Sequence, residues 1–168
     1  AANPLPHRHL VGGDNRPHAT SWVPDVSIAE TYRGGQGVNA MGRIWTSVKI
    51  GNVSAPQNEI RCDALVDTGT SGMILPRAWR DRLGVLDELA TVDMLTATQD
   101  TVQGTVCGPV RIEIEGFRPI YNEVTFVDMK PKDGSYEPLV GYIILEQCQA
   151  AVDMLGHRLV RVKAMDLK

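Results

Sequence analysis

From about residue 44 onward, apolar and polar residues alternate with a period of two in short runs, each closed by Gly, Pro or Asn. That period belongs to half-buried strands. Ile44, Val48 and Ile50 alternate with Trp45, Ser47 and Lys49, and Gly51-Asn52 is expected to make the turn. Residues 62–66 and 73–75 are apolar runs on either side of a short polar turn. Pro76 suits the first position of a helix, Ala78, Trp79 and Leu83 fall on one face of it, and Gly84 suits the stop. A strand is predicted over 92–96, a return segment over 102–106, and a strictly alternating strand where Val110, Ile112 and Ile114 interleave with Arg111, Glu113 and Glu115. Gly116 turns the chain into a strand over 121–127. A polar loop follows over 129–138, then Leu139-Val140-Gly141, a brief helix over 143–150, and a terminal hairpin of 152–155 and 159–162 around Gly156-His157. Many short strands with one or two small helices make a mostly-β chain of one domain.

Residues 1–40 break this pattern. They are rich in Pro, Gly, Asn and His, show no periodicity, and read as an N-terminal extension, with the folded domain over 41–168. Met41-Gly42 would serve as an alternative start, which leaves the extension as native, a precursor segment or an appendage. No signal peptide is visible, and a start at Ala1 is compatible with one having been removed. His7 and His9 read as part of a solvated tail.

The 168 residues carry a net charge of −3, with 17 Lys and Arg scattered along the chain, so no basic footprint for nucleic acid or an anionic membrane is expected. The apolar run from Leu139 to Leu145 is too short to span a bilayer. Cys62, Cys107 and Cys148 are odd in number and form no CxxC pair. They predict neither a disulfide framework nor a zinc site, and core thiols favour a reducing, cytoplasmic setting. No metal or other cofactor is expected.

The chemistry concentrates in Ala64-Leu65-Val66-Asp67-Thr68-Gly69-Thr70-Ser71-Gly72-Met73-Ile74-Leu75-Pro76. Asp and Gly both suit turns, and a bare Asp-Thr-Gly arises by chance in roughly a few per cent of chains this long. The triplet alone therefore says little. The full string, with apolar residues on both sides of the Asp and Thr-Ser after the Gly, resembles the active-site motif of aspartic proteases. Its order of elements is similar to one lobe of a retropepsin-like (clan AA) enzyme over residues 42–163. The Leu75-Pro76, helix and Leu83-Gly84 succession looks like bacterial single-lobe members. The resemblance implies a closed β-barrel with one or two short helices, active as a twofold homodimer. It places a substrate-covering flap at Thr96, Ala97, Thr98, Gln99, Asp100 and Thr101, and sets Leu139, Val140 and Gly141 beside the catalytic loop. Two departures stand out. Tyr142-Ile143 stand where many relatives carry Arg or Met and then Asp or Asn after the glycine, and the stretch before residue 41 has no counterpart in the shortest members.

Aspartic proteolysis needs two carboxylates on one water, and this chain has a single Asp-Thr-Gly. Asp133-Gly134-Ser135 has the wrong order and lies in a polar loop. The second Asp67 must come from another copy of the chain. By the resemblance, Thr68 braces the two loops across the axis, Gly69 permits close approach, and Thr70 donates to the carboxylate, with Ser71 completing the loop. Met73, Ile74 and Leu75 are expected in the core, and Trp45, Trp79 and Tyr142 are read as packing groups. A hydroxyl at position 70 is the choice of acid-active relatives, so an acid optimum is implied, and an extended tail facing such a cleft implies self-cleavage. The expected function is homodimeric endopeptidase action on extended peptides. The alternative is a non-catalytic dimerisation or peptide-binding module of the same fold.

Overall fold

The computed structural model describes residues 42–96 and 98–163. The N-terminal extension and Ala97 therefore lie outside the described residues. The elements, in order, are β1 (Trp45–Asn52), β2 (Glu59–Val66), β3 (Met73–Pro76), a 3-10 helix (Arg77–Leu83), β4 (Asp87–Leu95), β5 (Thr101–Ile114), β6 (Ile120–Val127), β7 (Leu139–Val140), α1 (Tyr142–Cys148), β8 (Ala150–Asp153) and β9 (Arg158–Arg161).

The seven-stranded sheet runs β1-β2-β7-β3-β6-β5-β4, and β1 also pairs with β5. Six strands thereby close on themselves as a barrel, with β4 attached outside the ring along β5. The mostly-β chain with short helices is the one the alternation predicts, and the closed barrel is the one the resemblance implies. Closure removes the free edges of the six ring strands and leaves β4 as the edge of the sheet. β5 makes it possible because it is long enough to serve two partners. Its first half, through Gly108, pairs with β4, and Val110 to Ile114 pair with β1. Between them the register with β6 shifts, at the cis Gly108–Pro109 bond. The sequence divides this strand in two, whereas the ladder runs through.

Alternation decides what fills the barrel. In β1, Thr46, Val48, Ile50 and Asn52 point inward and their neighbours outward. Val110, Ile112 and Ile114 do the same from β5, and they meet Met73, Leu75, Val124, Phe126, Val140 and the α1 residues Ile144 and Leu145 in one core. The core position of Met73, Ile74 and Leu75 is as expected. Cys107 and Cys148 are buried, Cys62 is half-buried, and all three are free thiols. Burial pushes the Cys62 and Cys148 thiols up to about 11.

Several local expectations are corrected. Gly51-Asn52 is not the turn: both residues belong to β1, and the chain turns after them. The amide of buried Asn52 explains why. Its Nδ2 donates to the carbonyls of Leu83 and Val85, both at 2.8 Å, and its Oδ1 accepts from the N–H groups of Ser54 (2.8 Å) and Ala55 (3.3 Å). A turn-forming residue here braces two loops from inside a strand. Pro76 ends β3 and stands before the helix, which is 3-10 rather than α. With three residues per turn, Leu83 is buried and Trp79 packs on the core, but Ala78 faces solvent. Gly84 stops the helix at φ 69°. β4 begins at Asp87, earlier than 92, because its first residues are exposed and lack alternation. The terminal hairpin turns at 154–157, so Met154 and Leu155 are exposed turn residues and not strand. Trp45 and Tyr142 are exposed at 45% and 44%, so they are not packing groups; Trp79 is, meeting Tyr136 edge-on at 5.7 Å.

Two outcomes follow. Asn52→Ala should cost about 1–3 kcal/mol, since the buried Leu83 carbonyl loses its donor; urea unfolding within about 0.5 kcal/mol of wild type would contradict the brace. The thiols are acids with raised folded-state pKa values, so they leave stability unchanged while both states are protonated. As pH rises from 9 toward about 11 the unfolded chain ionises first, and stability falls. The melting temperature should therefore drop more steeply across that window in wild type than in a Cys62→Ala/Cys148→Ala variant, and parallel curves would refute it.

Candidate active site

Asp67 follows directly on β2, and three backbone carbonyls from other segments hold that strand end. Leu65 N–H donates to Pro138 O (2.8 Å), Val66 N–H to Ile44 O (2.8 Å) and Asp67 N–H to Val140 O (3.0 Å). The short strand β7 lies between β2, to which it is parallel, and β3, to which it is antiparallel, so that Val140 is level with both Val66 and Met73. The turn from β2 to β3 must therefore bulge around the end of β7. Asp67 stands at the start of that bulge.

Within the turn, the carboxylate is gripped by its own loop. Gly69 N–H donates to Oδ1 at 2.9 Å, and the Thr70 hydroxyl donates to Oδ2 at 2.9 Å. Thr70 N–H also closes the turn onto Asp67 O at 3.1 Å. Each carboxylate oxygen thus has one fixed donor and retains acceptor capacity for another. Asp67 and Thr70 are half-buried, while Thr68, Gly69 and Ser71 are exposed. A Cβ on Gly69 would come within 3.2 Å of Asp67 Oδ1. Within one chain, then, its small size makes room for the carboxylate.

Leu139, Val140 and Gly141 lie against this loop. Gly141 N–H donates to Gly72 O (2.9 Å), Tyr142 N–H to Thr70 O (2.9 Å) and Ile143 N–H to Ser71 O (3.0 Å). A Cβ on Gly141 would sit 2.5 Å from Thr70 O, Ser71 C and Gly72 O, all backbone atoms with nowhere to go. The N–H groups at the start of α1, which lack partners within a helix, are thus spent on the loop carbonyls.

Of the residues assigned to the flap, Thr96 and Thr98 to Thr101 lie at the tip of the β4–β5 hairpin, where Leu95 is level with Thr101. The tip is polar and internally bonded: Thr96 N–H reaches Asp100 O (2.9 Å), Gln99 N–H reaches Thr96 O (2.9 Å), and the Thr98 hydroxyl donates to Asp100 Oδ2 (2.7 Å). Gln99 turns the chain with φ 65°. The carbonyls of Ile44 and Pro138 were not singled out by sequence reading, because a backbone acceptor leaves no side-chain signal. Neither the cavity lined by Arg43, Trp45 and Tyr136 nor the one lined by Phe117, Arg118 and Arg161 includes Asp67. Among the described residues no three His, Cys, Asp or Glu side chains gather as metal ligands.

No family model matches the chain, and no curated protein matches it. Among solved structures it is similar to EIAV protease complexed with the inhibitor HBY-793, with a TM-score of 0.49 and 22% identity over 67% of this chain and 93% of that one.

Gly141→Ala should destabilise the chain by about 1–3 kcal/mol through overpacking and speed hydrogen exchange at the Tyr142 and Ile143 amides, whose acceptors lie in the loop. Unchanged exchange at both amides would show that the loop does not depend on this contact.

Proposed function

We propose that the chain supplies one half of a homodimeric aspartic endopeptidase acting on extended peptides. The observation that carries the reading is the state of Asp67. Its carboxylate is oriented by two donors of its own turn, on a loop clamped by Gly141, at the one Asp-Thr-Gly of the sequence.

In the proposed dimer, Asp67 and the partner's Asp67 share one water. Two carboxylates so close cannot both ionise, so the pair holds one proton, and its titration belongs to the pair. The ionised member takes a proton from the water as the water oxygen attacks the peptide carbonyl carbon. The protonated member donates to the developing oxyanion. As the tetrahedral intermediate collapses, the carboxyl that took the water proton gives it to the leaving nitrogen, the carbon–nitrogen bond breaks, and a hydroxyl of the intermediate returns its proton to the other carboxylate, so the pair again holds one proton. Gly69 N–H and the Thr70 hydroxyl keep the carboxylates aimed at the water throughout, which lowers the reorganisation required. Thr68, exposed at the loop apex, is assigned the contact across the axis. Ser71 and the Leu139-Val140-Gly141 segment keep the loop in register. The hairpin tip, Thr96 to Thr101 with Ala97, is assigned the cover over the substrate, excluding water. The N-terminal extension is proposed as a segment the enzyme removes from itself, and an acid optimum is proposed from the Thr70 hydroxyl that donates to the carboxylate.

Asp67→Asn removes both the base and the shared proton while keeping an acceptor for Thr70. It should fold and assemble like wild type but lose hydrolysis of a mixed peptide library by about 10²–10⁴-fold or more. Turnover within about tenfold of wild type would sink the catalytic role and favour a peptide-binding module.

A further inference from the structure

The described arginines divide by partner. Arg43, Arg61, Arg77, Arg80, Arg111 and Arg158 each pair with a carboxylate, and Arg82 lies over the ring of Trp79 at 5.1 Å. The two that remain, Arg118 and Arg161, are held by backbone carbonyls, and both line the same cavity. Arg118 donates through Nε (2.9 Å) and Nη2 (2.6 Å) to Gln147 O at the end of α1. Arg161 donates through Nε (2.7 Å) and Nη2 to Gly116 O, in the turn between β5 and β6. Each guanidinium has five N–H groups, so three on each remain after these bonds. The backbone carbonyls fix both forks in place without neutralising either charge.

The cavity they share has a volume of about 260 Å³, and Phe117, Cys148 and Val162 give it an apolar wall. We propose that it is a binding site for a small carboxylate borne on an apolar group. The planar, prefixed guanidinium fork matches a carboxylate in two-point fashion. The apolar wall receives the rest of the ligand, and the size suits one residue-sized body and falls short of a drug-sized one. The same chemistry is offered by a free acid and by the C-terminal residue of a peptide. The site is formed by α1, β9 and the β5–β6 turn, and it stands whether or not Asp67 is catalytic.

Titrating the full ¹⁵N-labelled chain with N-acetylleucine should give saturable shifts at the Phe117, Gln149 and Val162 amides. N-acetylleucinamide, of the same shape without the charge, should bind at least about tenfold more weakly. A short peptide ending in leucine that binds more tightly than N-acetylleucine assigns the site to peptide termini, and equal binding assigns it to free acids. Arg161→Gln and Arg118→Gln should each weaken N-acetylleucine about tenfold or more. Arg118 also caps α1, so if Arg118→Gln unfolds, Arg161→Gln alone decides. Three results would overturn the proposal: equal shifts from acid and amide, inorganic phosphate binding as tightly as N-acetylleucine, or undiminished binding in folded Arg161→Gln.

Discussion

The contact of Gly141 with the carbonyls of Thr70 and Gly72 is the constraint on which the candidate site depends. A backbone amide can approach those carbonyls only because no Cβ intervenes; one would lie 2.5 Å from three backbone atoms. Through that approach the first amides of α1 bond to the β2–β3 turn. The turn then has little freedom, and the Asp67 carboxylate inherits its orientation. The barrel serves this arrangement from outside. Its closure through β5 holds β2 and β3 at the separation β7 needs, and the carbonyls of Ile44, Pro138 and Val140 anchor the end of β2. The site is thus fixed by main chain rather than by a web of charged side chains.

How much of this was legible beforehand depends on which atoms carry it. The barrel strands 44–50 and 110–114 could be read because one face is core and the other is water, and a period of two leaves no alternative. The pairing of Asp67 with Thr70 could be read because both partners are side chains three residues apart. β4 was shortened in prediction since an edge strand exposed on most positions shows no alternation. Asn52 misled because its usual role in turns is local, whereas here it bonds to Leu83 and Val85 more than 30 residues away. Ala78 misled because a 3-10 helix turns every three residues and moves it off the buried face. The wedge of β7 between β2 and β3 has no local signature at all. Only Gly141, small beside two apolar residues, hints that a close approach occurs there.

The exposed surface around the turn bears on assembly. Thr68, Gly69 and Ser71 face outward, and the neighbouring Tyr142 and Ile143 are 44% and 36% exposed. An apolar pair beside a polar apex differs from the Arg or Met and then Asp or Asn that many relatives carry after the glycine. In the proposed dimer it would form an apolar flank to the Thr68 contact. Under the proposed mechanism the carboxylate count gives the same direction: one Asp-Thr-Gly per chain would supply half of a two-carboxylate pair.

That division is tested most directly by mixing wild type with Asp67→Asn at fixed total concentration, with time for subunits to exchange. If each active centre needs an intact Asp67 from both protomers, activity follows the square of the wild-type fraction, and an equal mixture retains about a quarter of full activity. A straight-line decline, with about half the activity at the equal mixture, would mean that one chain suffices and would contradict the account.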